Sequence, residues 1–148
     1  MSSEHRTDVV AIHALLQRWA QAVRERDLHG ILADHSADML TYDVPPPTLL
    51  RGIDAYERAW RPFWDWLGND GTWEVRDVVV HASDAVAFAT AVIDCIGLQH
   101  VEVRLTVGLR KVGGRWTIVH EHHSIPSVPS GTRNWDVDSW AGLGALRA

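Results

Sequence analysis

Asp43 is the first residue whose type and position could support catalysis. It ends a predicted strand over residues 39–43 and is followed, after Val44, by Pro45-Pro46-Pro47, which can continue neither a sheet ladder nor a helix. A carboxylate held there against an apolar pocket would have a raised pKa and could act as a base near neutral pH. The other interpretation is a turn aspartate that only caps the backbone before the proline loop.

A second group of chemically active residues closes the last predicted strand, in the run His120-Glu121-His122-His123. Side chains alternate along a strand, so His120 and His122 share one face while Glu121 and His123 share the other. A two-residue Gly113-Gly114 turn would fix the pairing with the preceding strand. The expected opposite pairs are Thr106 with Glu121, Leu105 with His122, and Arg104 with His123. Either the polar or the mainly apolar face could line a pocket.

Arg104 stands beside Glu121 and His123 in this pairing, where it could bind a carboxylate or an enolate oxygen, or tune a histidine. The plainer interpretation is a cross-strand ion pair in solvent, worth less than about 1 kcal/mol. His120 and His122 have a spacing found in metal sites, but no nearby Asp or Glu shares their face on the neighbouring strand, so we expect no metal. A commoner role for His120 and His122 than metal binding or catalysis is that of half-buried histidines that donate to the backbone or to Tyr42.

Tryptophan dominates the aromatic content, because eight of the 148 residues are Trp against two Phe and two Tyr. Trp60 and Trp64 lie one helical turn apart with Phe63 beside them. They form either part of the core or a flat aromatic wall for a planar ligand. Five others are expected to serve stability or assembly: Trp73 and Trp116 in the sheet, Trp66 on the outer side of its helix, and Trp135 and Trp140 in the tail.

The elements that must position these residues follow from hydrophobic spacing. Apolar periodicity predicts a helix over residues 8–26 with Thr7 or Asp8 as its N-cap, then a short helix after Asp27, and a third between Gly52 and Gly68. Runs rich in β-formers over residues 73–81, 86–96, 100–112 and 115–125 predict a meander with short turns. Three helices followed by an antiparallel meander make an α+β fold whose helices cover one face of the sheet.

Composition limits the classes of function. A net charge of −5 and a pI near 5.9 supply no long-range field for nucleic acid or an anionic membrane, and no apolar run approaches the roughly 20 residues that cross a bilayer. The single cysteine, Cys95, allows no intrachain disulfide, so we expect a cytoplasmic protein with an inert buried thiol. The length predicts one domain, residues 1–127, and a tail, residues 128–148, that could pack on a partner chain.

Several of these features together resemble the SnoaL-like branch of the NTF2-like, ketosteroid-isomerase-like superfamily, over about residues 7–127. They are Arg18-Trp19 in the first helix, the strand end Thr41-Tyr42-Asp43-Val44-Pro45, Arg51-Gly52 before the third helix, and the closing run GRWTIVHEHHS at residues 114–124. The resemblance implies a cone, in which three N-terminal helices pack in a curved antiparallel sheet around an apolar pocket. It also implies a dimer.

The same resemblance implies roles for individual residues. Asp43 occupies the position of the proton-shuttling aspartate of the family's isomerases, while the positions of their two oxyanion donors fall on Trp19 and about Thr106. An indole N–H and a hydroxyl can still donate, but they are less acidic than the phenol and carboxylic acid that they replace. Trp19 would also add a second aromatic wall opposite Trp60 and Trp64, so that these three could meet around one cavity.

We therefore predict a cofactor-independent enzyme that performs acid/base chemistry, of the isomerase, cyclase or dehydratase type, on a small hydrophobic carbonyl compound. The predicted catalytic residues are Asp43 as base, Arg104 and His122. The predicted substrate-binding residues are Trp19, Tyr42, Trp60, Phe63, Trp64, Thr106, His120, Glu121 and His123. Two alternatives stay open: a non-catalytic dimeric ligand-binding or association module, and an epoxide-hydrolase-like site in which Asp43 activates water. The expected partners are a small hydrophobic ligand and a second copy of the chain, with no nucleic acid, membrane, metal or cofactor.

Overall fold

The computed structural model describes the backbone of residues 3–126 and the side chains of residues 5–126. The helices are α1 (Ser3–Glu25), α2 (Leu28–Leu32) and α3 (Ile53–Leu67). The strands are β1 (His35–Tyr42), β2 (Leu50–Arg51), β3 (Thr72–Ala82), β4 (Val86–Ile96), β5 (His100–Val112) and β6 (Arg115–Ser124). The predicted α+β fold is confirmed. The predicted tail over residues 128–148, with Trp135 and Trp140, lies outside the described residues.

The six strands form one sheet in the order β2-β1-β6-β5-β4-β3. All neighbours are antiparallel except β1 and β6, which run parallel. A parallel pair needs a long connection, and here α3 and the β3–β5 meander supply it. The sequence prediction of a wholly antiparallel sheet therefore misses one pairing, and it also misses the short strand β2.

The helices cover the inner face of the sheet. α1 lies against β3 and α3 against β1, and the buried face of α1 follows the predicted spacing: Ile12, Leu15, Leu16, Trp19 and Val23. Gly68 ends α3 as expected, with a φ of 73° and its N–H donating to the carbonyl of Trp64. α1 begins at Ser3, so the expected N-cap at Thr7 or Asp8 is wrong. Within the described residues, none of the helices combines the length and apolarity that crossing a membrane requires.

A β-bulge in β6 determines which side chains reach the inner face. Gly113 and Gly114 form the predicted turn, with φ values of 56° and 78° that suit glycine. Beyond the turn Leu109 pairs with Ile118, but Gly108 pairs with His120, so Val119 is the extra residue of a bulge.

The bulge shifts the rest of β6 by one place. The observed pairs are Val107 with Glu121, Thr106 with His122, Leu105 with His123, and Arg104 with Ser124. The expected pairs of Thr106 with Glu121, Leu105 with His122, and Arg104 with His123 are therefore wrong. A one-residue shift exchanges the two faces of a strand, so Glu121 and His123 join the apolar inner face of β5, while Arg104 and Thr106 stay on the outer face.

Candidate active site

An apolar pocket lies between α3 and the inner face of the sheet. Its cavity volume is about 80 Å³, and the space out to its open mouth, solvent included, is about 750 Å³. Its walls are mainly aromatic and aliphatic side chains. The lining residues are Asp43, Val44, Pro45, Tyr56, Ala59, Trp60, Phe63, Trp66, Trp73, Ile93, Cys95, Val103 and His123.

Asp43 supplies a carboxylate to this pocket from the residue that follows β1. Its Oδ1 accepts a hydrogen bond of 2.7 Å from the Val44 backbone N–H, which fixes the side chain at the start of the proline loop. The side chain is 26% exposed and lies at the pocket wall. The turn that Asp43 caps therefore also presents its side chain to the pocket.

His123 lies beside Asp43, on the inner face of β6. Its Nδ1 is 3.6 Å from Asp43 Oδ1, and its Nε2 is 3.0 Å from Glu121 Oε2. The first distance is too long for a hydrogen bond, whereas the second is an ordinary one. His123 is therefore anchored through one ring nitrogen and presents the other to Asp43 and the pocket.

Glu121 is fully buried and gathers polar groups from three elements. Its Oε1 accepts a hydrogen bond of 2.9 Å from the Tyr56 hydroxyl of α3 and lies 2.6 Å from His35 Nε2 at the start of β1. The Tyr56 oxygen in turn accepts from the Trp19 indole N–H at 3.2 Å. Burying an ionised carboxylate is costly unless hydrogen bonds and opposite charges compensate the loss of hydration, and these partners supply that compensation.

These contacts set the protonation states of the cluster. Burial raises the pKa of the Glu121 carboxyl, but hydrogen bonds from His123 and His35, together with their charge, outweigh it and hold the pKa at about 2. Burial lowers the pKa of His123, yet the bond to Glu121 and the charges of Asp43 and Glu121 bring it above the usual 6.5. Burial, and then the charge of Glu121, raise the pKa of the Tyr56 phenol well above 10. The cluster therefore favours an ionised carboxylate, a protonated phenol and an imidazolium.

Several residues predicted for the site lie elsewhere. Arg104, Thr106 and His122 are exposed on the outer face of the sheet, because the bulge separates them from Glu121 and His123. Tyr42 packs edge-on against the rings of His120 and His122, and His120 Nδ1 lies 2.7 Å from the Leu40 carbonyl, which is the backbone-binding alternative for that histidine. The structure does not bring these five residues together with Asp43.

The tryptophans that line the pocket are only partly the ones that the sequence predicts. Trp60 and Phe63 line the pocket; Trp64 packs against Trp60, and Trp19 packs against Trp60 and Trp73 behind the wall. The predicted outer position of Trp66 is wrong, since it is only 5% exposed and lines the pocket, as does Trp73.

Tyr56 and His35 are the polar residues of the cluster around Glu121 that the sequence analysis missed. Tyr56 lies one helical turn before Trp60, on the face that spacing marks as apolar. A buried phenol nearly always binds a polar partner, so it was the available signal of a buried acceptor. His35 precedes the predicted strand and carries no comparable signal, because it reaches Glu121 only through the parallel pairing of β1 and β6.

The remaining candidates for metal or nucleophilic chemistry are few. Among residues 5–126, no group of three or more His, Cys, Asp and Glu side chains is arranged to hold a metal ion. Cys95 lies in the pocket wall, where burial raises the pKa of its thiol to about 12 and disfavours the thiolate.

Known proteins share the sequence pattern and the fold of this chain. A family model for the SnoaL-like domain matches residues 12–128. An NTF2-like protein of unknown function from Pseudomonas putida KT2440 is 30% identical, with a TM-score of 0.80 over 86% of this chain and 93% of that one. No curated protein sequence matches the chain.

Two more distant structures share the fold. A putative dehydratase of the NTF2-like family from Streptomyces avermitilis is 17% identical, with a TM-score of 0.70 over 83% of this chain and 99% of that one. A ketosteroid isomerase-like protein from Erwinia carotovora atroseptica SCRI1043 is 19% identical, with a TM-score of 0.68 over 82% and 98%.

Proposed function

The chain belongs to the SnoaL-like family of the NTF2-like superfamily, and from that premise we propose that it is a cofactor-independent enzyme acting on a small hydrophobic carbonyl compound. The reaction is acid/base chemistry of the isomerase, cyclase or dehydratase type, with Asp43 as the base. The sequence resemblance to this family is confirmed by the match over residues 12–128. The fold hosts several chemistries, so the reaction is argued from the site.

One observation carries the proposal: Asp43 and His123 face the same pocket 3.6 Å apart without a hydrogen bond between them. Each keeps a polar atom for a ligand. A carboxylate beside an imidazole N–H can take a proton from carbon while the N–H holds the charge that develops on the neighbouring oxygen. One carbonyl group with its adjacent carbon is small enough to contact both.

The pocket walls support the substrate class. Asp43 and His123 lie on the β1–β6 side, whereas the β3–β4 side carries Trp73, Ile93 and Cys95. The ring faces of α3 complete an aromatic enclosure. A ligand that matches this distribution is flat and apolar, with its polar group at one end.

Arg104 and His122 have no part in this mechanism, because both lie on the outer face of the sheet. We assign to His123 the role predicted for Arg104 and His122, which is to orient the substrate and hold the negative charge that develops on it. The homodimer stays a prediction; the exposed apolar side chains Val86, Phe88 and Ile96 of β4 would suit a partner surface.

The test measures exchange of carbon-bound protons for deuterium in D₂O by NMR, with β-tetralone as the probe ketone. We expect the wild-type protein to accelerate exchange and Asp43→Asn to lower the turnover at least about hundredfold, because the amide cannot accept the proton. Asp65→Asn, an exposed change on α3, is the matched control and should behave as wild type.

Three results would contradict the proposal or redirect it. Equal exchange by wild type and Asp43→Asn would remove Asp43 as the base. Binding of β-tetralone without exchange would favour the ligand-binding module. Hydrolysis of an apolar epoxide, lost in Asp43→Asn and without ketone exchange, would favour water activation.

A further inference from the structure

We infer that His123 is the second proton-transfer group of this site, exchanging its proton at Nδ1, and that Glu121 is the positioning residue that holds it in this role. The inference rests on the proposed function for the reaction itself. It goes further by naming the atom that gives the proton and the buried residues that select that atom.

Glu121 determines which ring nitrogens carry hydrogen. An ionised carboxylate can only accept hydrogen bonds, so every nitrogen bound to it must be a donor. His35 Nε2 lies 2.6 Å from Oε1, and His123 Nε2 lies 3.0 Å from Oε2. Both histidines therefore carry a hydrogen on Nε2, and any further proton must go to an Nδ1.

The two Nδ1 atoms have different surroundings. The side chain of His35 is 0% exposed, and its Nδ1 is buried without a hydrogen-bond partner among the described residues. A proton there would bury an unpaired N–H, which costs more than an unpaired lone pair. The ring of His35 is also packed against that of Tyr56, 4.8 Å between centroids. His35 is therefore the less suitable of the two histidines to exchange a proton with the pocket.

His123 Nδ1 is the nitrogen that can gain and lose a proton. It faces the Asp43 carboxylate at 3.6 Å and its side chain is 13% exposed at the pocket wall. The charged groups around this ring are Asp43 after β1 and Glu121 on β6; on β5 its neighbour is the apolar Leu105. Both facing charges are negative, so they favour the imidazolium, while access to the pocket allows the proton to leave.

The proton transfers then balance. Asp43 takes the proton from the carbon next to the carbonyl; the electron pair of that C–H bond forms the C=C bond of an enol, and the carbonyl oxygen receives the proton of His123 Nδ1. Asp43 ends this step protonated and His123 neutral, with its hydrogen on Nε2. Return of the Asp43 proton to the same or a conjugated carbon, and of the enol proton to His123 Nδ1, restores both groups.

The first test reads the imidazole states directly, with no substrate present. Long-range ¹H–¹⁵N NMR on the histidine-labelled full chain should show His123 titrating at Nδ1, with Nε2 protonated throughout. Glu121→Gln should lower the pH midpoint of His123, because its anionic acceptor is lost. Tyr56→Phe should move the midpoint the other way, since the carboxylate loses a competing donor.

The second test is kinetic. In β-tetralone exchange, Glu121→Gln should lower kcat on the order of 10- to 100-fold with little change in KM, because the residue does not touch the substrate. The alkaline limb of kcat, where the imidazolium is lost, should move to lower pH. Glu102→Gln, on the exposed outer face of β5, is the matched control, and thermal melts check that every variant is folded.

The outcomes separate the two claims. A His123 that carries its hydrogen on Nδ1 alone when neutral, or a midpoint unchanged in Glu121→Gln, overturns the positioning role whatever the activity. Opposite shifts in the two variants support it, since a merely structural effect would move them together. Expected NMR behaviour without exchange by the wild type overturns the proposed function, and with it the proton transfer by His123.

Discussion

Asp8 and Glu121 are both buried acidic side chains, but they are compensated by partners of different kinds. Asp8, only 6% exposed, pairs with Lys111 Nζ at 2.7 Å and accepts the Trp116 indole N–H at 2.9 Å. Glu121, fully buried, is held by two histidines and a phenol. The ordinary pKa of a lysine side chain is about 10.4 and that of a histidine about 6.5, so only the histidine partners are of a type that titrates near neutrality.

This difference distinguishes the Asp8–Lys111 pair, which stabilises the fold, from the Glu121–His123 pair, which lies at the proposed site. The Lys111 hydrogen bond, followed by that of Trp116, lowers the pKa of Asp8, and together they tie α1 to the β5–β6 hairpin. Neither Asp8 nor Lys111 lines the pocket, so we assign this pair a structural role only. The charge of Glu121 is compensated in part by His123, which also lines the pocket. The hydrogen bond that stabilises the buried carboxylate therefore involves the same side chain that we propose transfers a proton to the substrate.

The largest expected effect comes from removing the Glu121 carboxylate. Glu121→Ala leaves His35, Tyr56 and His123 without their shared acceptor and should lower the free energy of unfolding by about 3–5 kcal/mol. Urea unfolding followed by circular dichroism measures this. Glu102→Ala, on the outer face, should change it by less than about 1 kcal/mol; similar losses in both variants would show that Glu121 is not specially held.

The next effect is the pH dependence of stability. The pKa of Glu121 is about 2 in the folded chain against 4.5 normally, so its contribution is present above pH 4.5 and is lost as the pH falls through 2. The loss should be about 3 kcal/mol. The pKa of His123 is raised, so its contribution is present below 6.5 and is lost as the pH rises through the folded pKa. Urea midpoints of the wild type should peak between these limits, and a Glu121→Gln profile that keeps the same acid limb would contradict the assignment.

The smallest of the three effects concerns Asp8. Asp8→Ala leaves Lys111 and the Trp116 N–H unpaired and should lower the free energy of unfolding by about 1–3 kcal/mol. Exchange of β-tetralone at saturating concentration should be unchanged, because neither Asp8 nor Lys111 lines the pocket. A loss of turnover in a folded Asp8→Ala chain would mean that the two carboxylates are not independent.

Elements with strong periodicity could be predicted from the sequence. The bounds of α3, β4 and β5 and the Gly113-Gly114 turn follow from spacing and glycine chemistry, whereas the expectation that Asp43 lies at a pocket follows mainly from the family resemblance. The same alternation failed beyond Val119. A bulge adds one residue without any distinctive residue type, so every face assigned after it is reversed.

The buried cluster could be predicted only in part. Glu121 and His123 are two residues apart, so strand alternation correctly predicts that they share a face, but their partners come from far along the chain. Tyr56 was hidden within an apolar helix face, and His35 within a strand that begins earlier than its hydrophobic pattern suggests. Pairing between distant strands depends on tertiary contacts, which a local pattern does not encode.

The parallel pairing of β1 with β6 has a consequence for how the chain matures. His35 and Glu121 are 86 residues apart, and Tyr56 and Glu121 are 65 apart. During synthesis β1 emerges early, yet one of its two neighbours in the sheet is β6, the last strand among the described residues. Loop closure of this length makes such contacts slow to form. The side chains proposed to move protons therefore meet only in a molecule that has finished folding, and shortened or half-folded chains carry the residues without the site.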